Sequence, residues 1–167
     1  MKGKVTLTII LLTILFVVFF VIYIKFYDEE THSSISKVNT YETVCGKYEK
    51  GEIKFGQKIL SVNIADDDCK KTLGLSGDIS LNDEGMIFIF EKAGNYGFWM
   101  KDMNFPLDIL WFDDNFKVVG IEKDLATSTY PKSFGVKYFA KYVLEVSAGY
   151  SQKNNIKVAD KIIFDKK

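Results

Sequence analysis

The chain has 167 residues, 47% of them hydrophobic and 26% charged, with 12 Gly and 2 Pro. That composition lies in the globular range and excludes a disordered tail, a collagen-like fibre and a multi-domain enzyme. Its 22 acidic residues balance 22 basic ones, every one of them Lys, and without Arg forks or a basic surface nucleic acid is not the expected partner.

Val5 to Ile24 is a run of 20 residues with no charge and three Thr. At 1.5 Å rise per residue it matches the thickness of a hydrocarbon core and predicts one membrane-spanning helix within an anchor at residues 1–27. The exit Val21-Ile22-Tyr23-Ile24-Lys25-Phe26 offers none of the small residues of a signal-peptidase site, and the apolar run exceeds a cleaved signal. Lys2 and Lys4 precede the span, whereas Lys25 and then Asp28-Glu29-Glu30 follow it. The positive-inside rule therefore predicts a cytoplasmic N-terminus and everything beyond Lys25 outside, in a single-pass protein of the cell membrane. Residues 28–40 are polar, without a period, and include the only His, His32; they read as a stalk. With Lys2, Lys4 and Lys25 set aside, 19 Lys face 22 acids, so the outer part is not drawn to anionic headgroups.

Residues 41–167 suffice for one independent core. Short apolar runs predict strands at Glu52–Phe55, Lys58–Ala65, Met86–Glu91, Tyr96–Lys101, Leu107–Asp113, Lys117–Lys123, Tyr142–Ser147 and Lys161–Phe164, each rich in Ile, Val, Phe, Tyr or Trp. Eight such strands suggest a mostly β barrel or sandwich. Asp83-Glu84-Gly85, Ala93-Gly94-Asn95, Asp102 to Pro106 and Asp113-Asp114-Asn115 predict turns, the last a hairpin. Asp66 to Gly74 reads as one short helix, with acids at its start, Lys four residues on and a Gly stop. That placement weighs against a cation site at the three Asp, because neighbouring helical residues do not converge and a calcium loop alternates its oxygen ligands.

Few side chains suggest chemistry. The lone His falls in the stalk, so no imidazole-based nucleophile system is expected, and two Cys with one remote His make a poor zinc set. No cofactor is implied. Cys45 and Cys69 lie on the side of the membrane where disulfides persist; they read either as a bridge worth about 3 kcal/mol or as two separate thiols. Gly74-Leu75-Ser76-Gly77-Asp78 follows a helix rather than a strand and reads as a tight turn rather than a nucleophile elbow. Charges inside apolar strands are more telling. Asp108 sits in Pro106-Leu107-Asp108-Ile109-Leu110-Trp111-Phe112 and Glu145 in Tyr142-Val143-Leu144-Glu145-Val146. Both faces of the Asp108 strand look buried, and a carboxylate there requires a partner, for which Lys101 is the natural candidate. This predicts a polar pocket of Lys101, Asp102, Asp108 and Glu145 walled by Trp99, Phe105 and Trp111; the alternative is a structural ion pair or charges that reach water.

Gly74-Leu75-Ser76-Gly77, Leu81 with Glu84-Gly85-Met86-Ile87-Phe88-Ile89-Phe90, Phe98-Trp99-Met100-Lys101, Pro106-Leu107-Asp108-Ile109 and Tyr142-Val143-Leu144-Glu145-Val146 with Ala148-Gly149 resemble, in order, the domain of unknown function 192 family. The resemblance spans about residues 55–165. It implies a compact, mostly β barrel or sandwich with little helix, often behind a membrane anchor, and it implies no activity. Asp78 stands where the family usually has Arg, and Asp102-Met103 where relatives often have Asn-Thr. The stretch Tyr130-Pro131-Lys132-Ser133-Phe134 lacks the Cys-containing loop of some relatives.

The expectation is a membrane-anchored, non-catalytic envelope module that binds a small polar or saccharide-like ligand near Lys101, Asp108 and Glu145. Two alternatives stand beside it: a hydrolase or lyase using Asp108 or Glu145 as general acid/base, and a structural domain that docks another envelope protein.

Overall fold

A computed structural model of the chain describes residues 15–25 and 44–167. The chain divides into two units, Met1–Val38 and Asn39–Lys167. In the first, residues 15–25 are helical. Among the described residues no helix is long and apolar enough to cross a membrane; the first ten residues of the anticipated span, 5–14, and the anticipated stalk, 28–40, lie outside them.

The second unit is built on one seven-stranded sheet. Its strands are β1 (Glu49–Phe55), β2 (Lys58–Ala65), β3 (Gly85–Asn95), β4 (Leu107–Phe112), β5 (Val118–Leu125), β6 (Phe139–Ser147) and β7 (Ile163–Lys166), in the spatial order β5-β4-β6-β3-β2-β1-β7. Among the described residues, helical Val44–Cys45 and three short helical pieces accompany them: α1 (Asp68–Leu73), a 3-10 turn (Thr127–Thr129) and α2 (Tyr150–Lys153). The mostly β class is as expected, but the sheet is not closed into a barrel. Its outer strands β5 and β7 form no ladder with each other; an isolated bridge between Lys117 and Lys161 joins the segments just before them, with bonds such as Val118 N–H to the Asp160 carbonyl at 2.8 Å.

Pairing is antiparallel everywhere except between β2 and β3. A parallel pair requires a crossover connection, and residues 66–84 supply it. Local chemistry shapes this crossover: the Asp67 carboxylate accepts from the Lys70 N–H at 2.8 Å as an N-cap, and Gly74 ends α1 at φ 54°, a conformation that disfavours a side chain. Lys70 pairs with Asp67 at 2.9 Å and Asp66 at 3.6 Å. The acidic triplet thus acts as cap and ion-pair partner. No residue of α1 is buried, and covalent chemistry fastens it instead: Cys45 and Cys69 form a disulfide with Cα atoms 5.6 Å apart. Double replacement of these cysteines by Ala, or reduction, is expected to lower stability by about 3 kcal/mol, read as the difference between urea melts with and without reductant; equal midpoints would show the bridge to be dispensable.

Both faces of the sheet are covered. One carries Met86 and Phe88 of β3, Leu107, Ile109 and Trp111 of β4 and Val143 of β6, against Leu75, Leu81, Met100 and Phe134 from the connections. The other carries Ile53, Val62, Ile64, Ile87, Leu110, Phe112, Leu144 and Val146, against Ile156 and Ile162 from the connections. All six residues of β4 are buried, as its pattern anticipated.

Two local expectations fail. Tyr96–Lys101 is no strand: Phe98 alone bridges to Phe134, held by N–H to O bonds of 2.9 and 2.8 Å, while Trp99 on the next residue is left 54% exposed. Ala93-Gly94-Asn95 is no turn either, because β3 continues to Asn95 across a register shift between Ile89 and Gly94. The Asp113-Asp114-Asn115 hairpin forms as expected, with Asp113 Oδ1 accepting from the N–H groups of Asn115 and Lys117 at 2.9 Å each.

Candidate functional site

The anticipated pocket of Lys101, Asp102, Asp108 and Glu145 does not assemble. In the β4–β6 ladder Asp108 lies opposite Val146 and Ile109 opposite Glu145; directly opposed residues share a face and neighbours alternate, so the two carboxyls point to opposite sides of the sheet. Asp108 is fully buried, yet its partner is not Lys101. Its Oδ1 accepts from the N–H of Asp124 at 2.9 Å and of Gly149 at 3.1 Å; its Oδ2 accepts from the N–H of Ser151 at 2.9 Å and the Ser151 hydroxyl at 2.6 Å. Four donors saturate the carboxylate and tie the end of β5 and the start of α2 to β4, a structural clamp without a cation.

Lys101 and Asp102 are exposed on a tight turn, Asp102 with φ 55°, and Lys101 contributes its carbonyl oxygen, which accepts from the Ser76 hydroxyl at 3.0 Å. Trp111 is fully buried, its indole N–H donating to the Tyr96 carbonyl at 3.0 Å. Phe105 lines a shallower hollow with Ser80, Leu81, Pro106 and Ser147.

Glu145 and Trp99 do meet at a cavity, one of about 170 Å³. The crossover forms one wall with Lys71, Leu73 and Leu75; β3 contributes Phe88 and Phe90; Tyr96, Phe98 and Trp99 complete it. The wall is held from behind: Gly77 N–H donates to the Asp102 carbonyl at 2.8 Å and Asn104 Nδ2 to the Asp78 carbonyl at 2.9 Å. Aromatic rings brace one another, with Phe88 edge-on to Phe98 at 4.8 Å and Phe90 stacked on Tyr96 at 3.5 Å. At Gly97 any Cβ would run into Ser133 Oγ and Val136, so the close approach of the 133–136 loop to this wall depends on that glycine.

Lys71, Thr72 and Ser76 also line this cavity, and Glu145 is its one carboxyl. It is 4% exposed, and among the described residues its buried Oε2 has no hydrogen-bond partner. Burial pushes the carboxyl up to about 8, with no lowering by a cation among the described residues, so at neutral pH it is mostly the uncharged acid, with one O–H to donate. Such a group costs stability where it sits and marks a functional candidate.

Sequence reasoning singled out Glu145 and Trp99 but missed Phe88, Phe90, Phe98 and Leu75. A signal existed, since Phe88 and Phe90 share a face by the period of two. What it lacked was the crossover laid over them.

The domain of unknown function 192 model, described as "Uncharacterized ACR", matches residues 51–164. The chain belongs to the DUF192 family. Two solved structures share this DUF192 fold. One, from Sinorhizobium meliloti 1021 and provisionally labelled a transcription regulator, is 22% identical over 71% of this chain and 94% of its own, with a TM-score of 0.64. The other, a protein of unknown function from Novosphingobium aromaticivorans DSM 12444, is 24% identical over 68% of this chain and 83% of its own, with a TM-score of 0.61. At these identities the likeness is one of fold. No curated protein matches the chain significantly.

Proposed function

We propose that this DUF192 domain is a non-catalytic envelope module, anchored through residues 5–24 with its N-terminus in the cytoplasm, that binds a small polar or saccharide-like ligand in the Glu145 cavity. The observation that carries the reading is the Glu145 carboxyl, buried without a partner at a ring-walled cavity. A ligand group that pairs with it offsets the cost of its burial. The Cys45–Cys69 disulfide supports placement on the oxidising side of a membrane.

Catalysis is the weaker reading. General acid/base chemistry on a substrate in this cavity would pair Glu145 with a second free group. Of the candidates, the Tyr96 hydroxyl donates to the Lys92 carbonyl at 2.7 Å, Lys71 is paired with Asp68 at 3.4 Å, the Ser76 hydroxyl is spent on the Lys101 carbonyl, and Asp108 points away and is saturated.

A thermal-shift screen of the full chain against sugars, cell-wall fragments, nucleotides and divalent ions tests the proposal. A ligand at about 100 times its Kd adds roughly 2.7 kcal/mol and moves Tm by several degrees, and the shift should largely vanish in Glu145→Gln. A shift of undiminished size in that variant would place the ligand elsewhere.

A further inference from the structure

We propose that the occupant of the Glu145 cavity is a small organic ammonium ion, seated among the rings with Glu145 as its counter-ion; this rests on the binding reading above. Three features of the cavity select that class. Five rings line it, Phe88, Phe90, Tyr96, Phe98 and Trp99, beside the polar Lys71, Thr72 and Ser76, and ring faces carry negative potential that attracts cations. Its buried polar group is a carboxyl whose Oε2 has no hydrogen-bond partner, so an ammonium ion meets no competing cation on that oxygen. And the wall already seats an ammonium group against a ring: Lys71 Nζ lies 5.6 Å from the Phe90 ring centre, with Asp68 at 3.4 Å as its own counter-charge. At about 170 Å³ the space compares with the ~150 Å³ cavity that takes a benzene ring, the scale of a tetraalkylammonium head or one small ring.

The charge balance is explicit. The empty site holds the protonated acid; an entering cation stabilises the carboxylate, and one proton leaves to solvent for each cation bound. Affinity therefore rises with pH, about tenfold per unit below the carboxyl's pKa near 8 and level above it. A neutral ligand that accepts the acid's O–H has the opposite dependence. Facing Glu145 from β3 and β4 are Met86 and Ile109, its ladder neighbours, neither titratable; from the other walls the titratable groups are Lys71 and Tyr96.

The probe is tetramethylammonium, which has no proton of its own, against tert-butanol and glucose as neutral comparisons. Binding to the full chain is read by tryptophan fluorescence, to which Trp99 and Trp111 contribute, and by calorimetry between pH 5.5 and 8.5. The expected result is that tetramethylammonium binds more tightly than both neutral probes, with the stated rise in affinity. Glu145→Gln should weaken it tenfold or more and flatten the pH profile, whereas Lys71→Met and Tyr96→Phe should keep the slope. Glu145→Gln removes no hydrogen bond and is expected to fold. A cation affinity that ignores pH or Glu145→Gln overturns the ammonium assignment. Tighter binding of glucose or tert-butanol, lost in Glu145→Gln, overturns it too but leaves the binding module intact. No binding by any probe, with the screen above also blank, overturns both.

Discussion

Replacing Asp108 by Asn is expected to lower the unfolding free energy by about 4 kcal/mol, enough to remove a large part of the margin on which a domain of this size stands. The carboxylate receives three backbone N–H groups and one hydroxyl, none longer than 3.1 Å, and hydrogen bonds to a charged acceptor contribute about 1.5–3 kcal/mol each. An Asn amide presents its NH₂ either to the Asp124–Gly149 pair, where two N–H groups lose their acceptor, or to Ser151, where the hydroxyl can turn to accept but the buried N–H loses its acceptor. Ser151→Ala should cost only about 1–2 kcal/mol, because the backbone bonds remain. Urea melts of the two variants decide the matter: an Asp108→Asn loss below about 1 kcal/mol would mean that the clamp does not hold β4, β5 and α2 together.

Glu145→Gln should act in the other direction. The Glu145 carboxyl has an ordinary value of 4.5 in the unfolded chain and is pushed up to about 8 in the fold by burial. Below the lower value both states are protonated and the residue makes no pH-dependent contribution. Between the two the folded state holds more protons than the unfolded one, so stability falls as pH rises, and above 8 the penalty is complete. Glutamine carries the same shape without the charge, so the variant should match the parent near pH 4 and exceed it by an amount on the order of 4 kcal/mol by pH 8. Denaturant melts across that range test this. Parallel pH profiles for parent and variant would show that Glu145 gains a counter-charge in solution and is not the isolated acid that the cavity geometry describes. A residue that costs the fold this much is the kind retained for binding rather than packing.

The two carboxyls show where sequence reading stopped. Both sit in apolar strands, and the sequence pattern marks the Asp108 strand as buried on both faces. That they belong to opposite faces depends on pairing Asp108 with Val146 and Glu145 with Ile109, strands more than thirty positions apart. A slip of one residue would exchange the faces. The supposed partner Lys101 was chosen for nearness along the chain, whereas Ser151, 43 positions away, came near only because α2 follows directly on β6. The strand expected at Tyr96–Lys101 failed for a related reason: its alternating rings serve a cavity wall and one bridge to Phe134, a use of aromatics that local periodicity cannot separate from a ladder.

What the sequence by itself determined is local. The capped helix after Asp67, the hairpin at Asp113 to Asn115, the doubly buried β4 and the mostly β class follow from turn chemistry, charge placement and a period of two, each set by residues within a few positions of one another. The apolar stretch from Val5 to Ile24 is equally local as a pattern. The tertiary structure alone decided the parallel β2–β3 step, the crossover it requires and the Cys45–Cys69 link that fastens that crossover. Those long-range pairings lay Leu73 and Leu75 over the rings of β3 and close a cavity around Glu145, because a strand's partner is selected by burial of whole faces rather than by its neighbours in the chain.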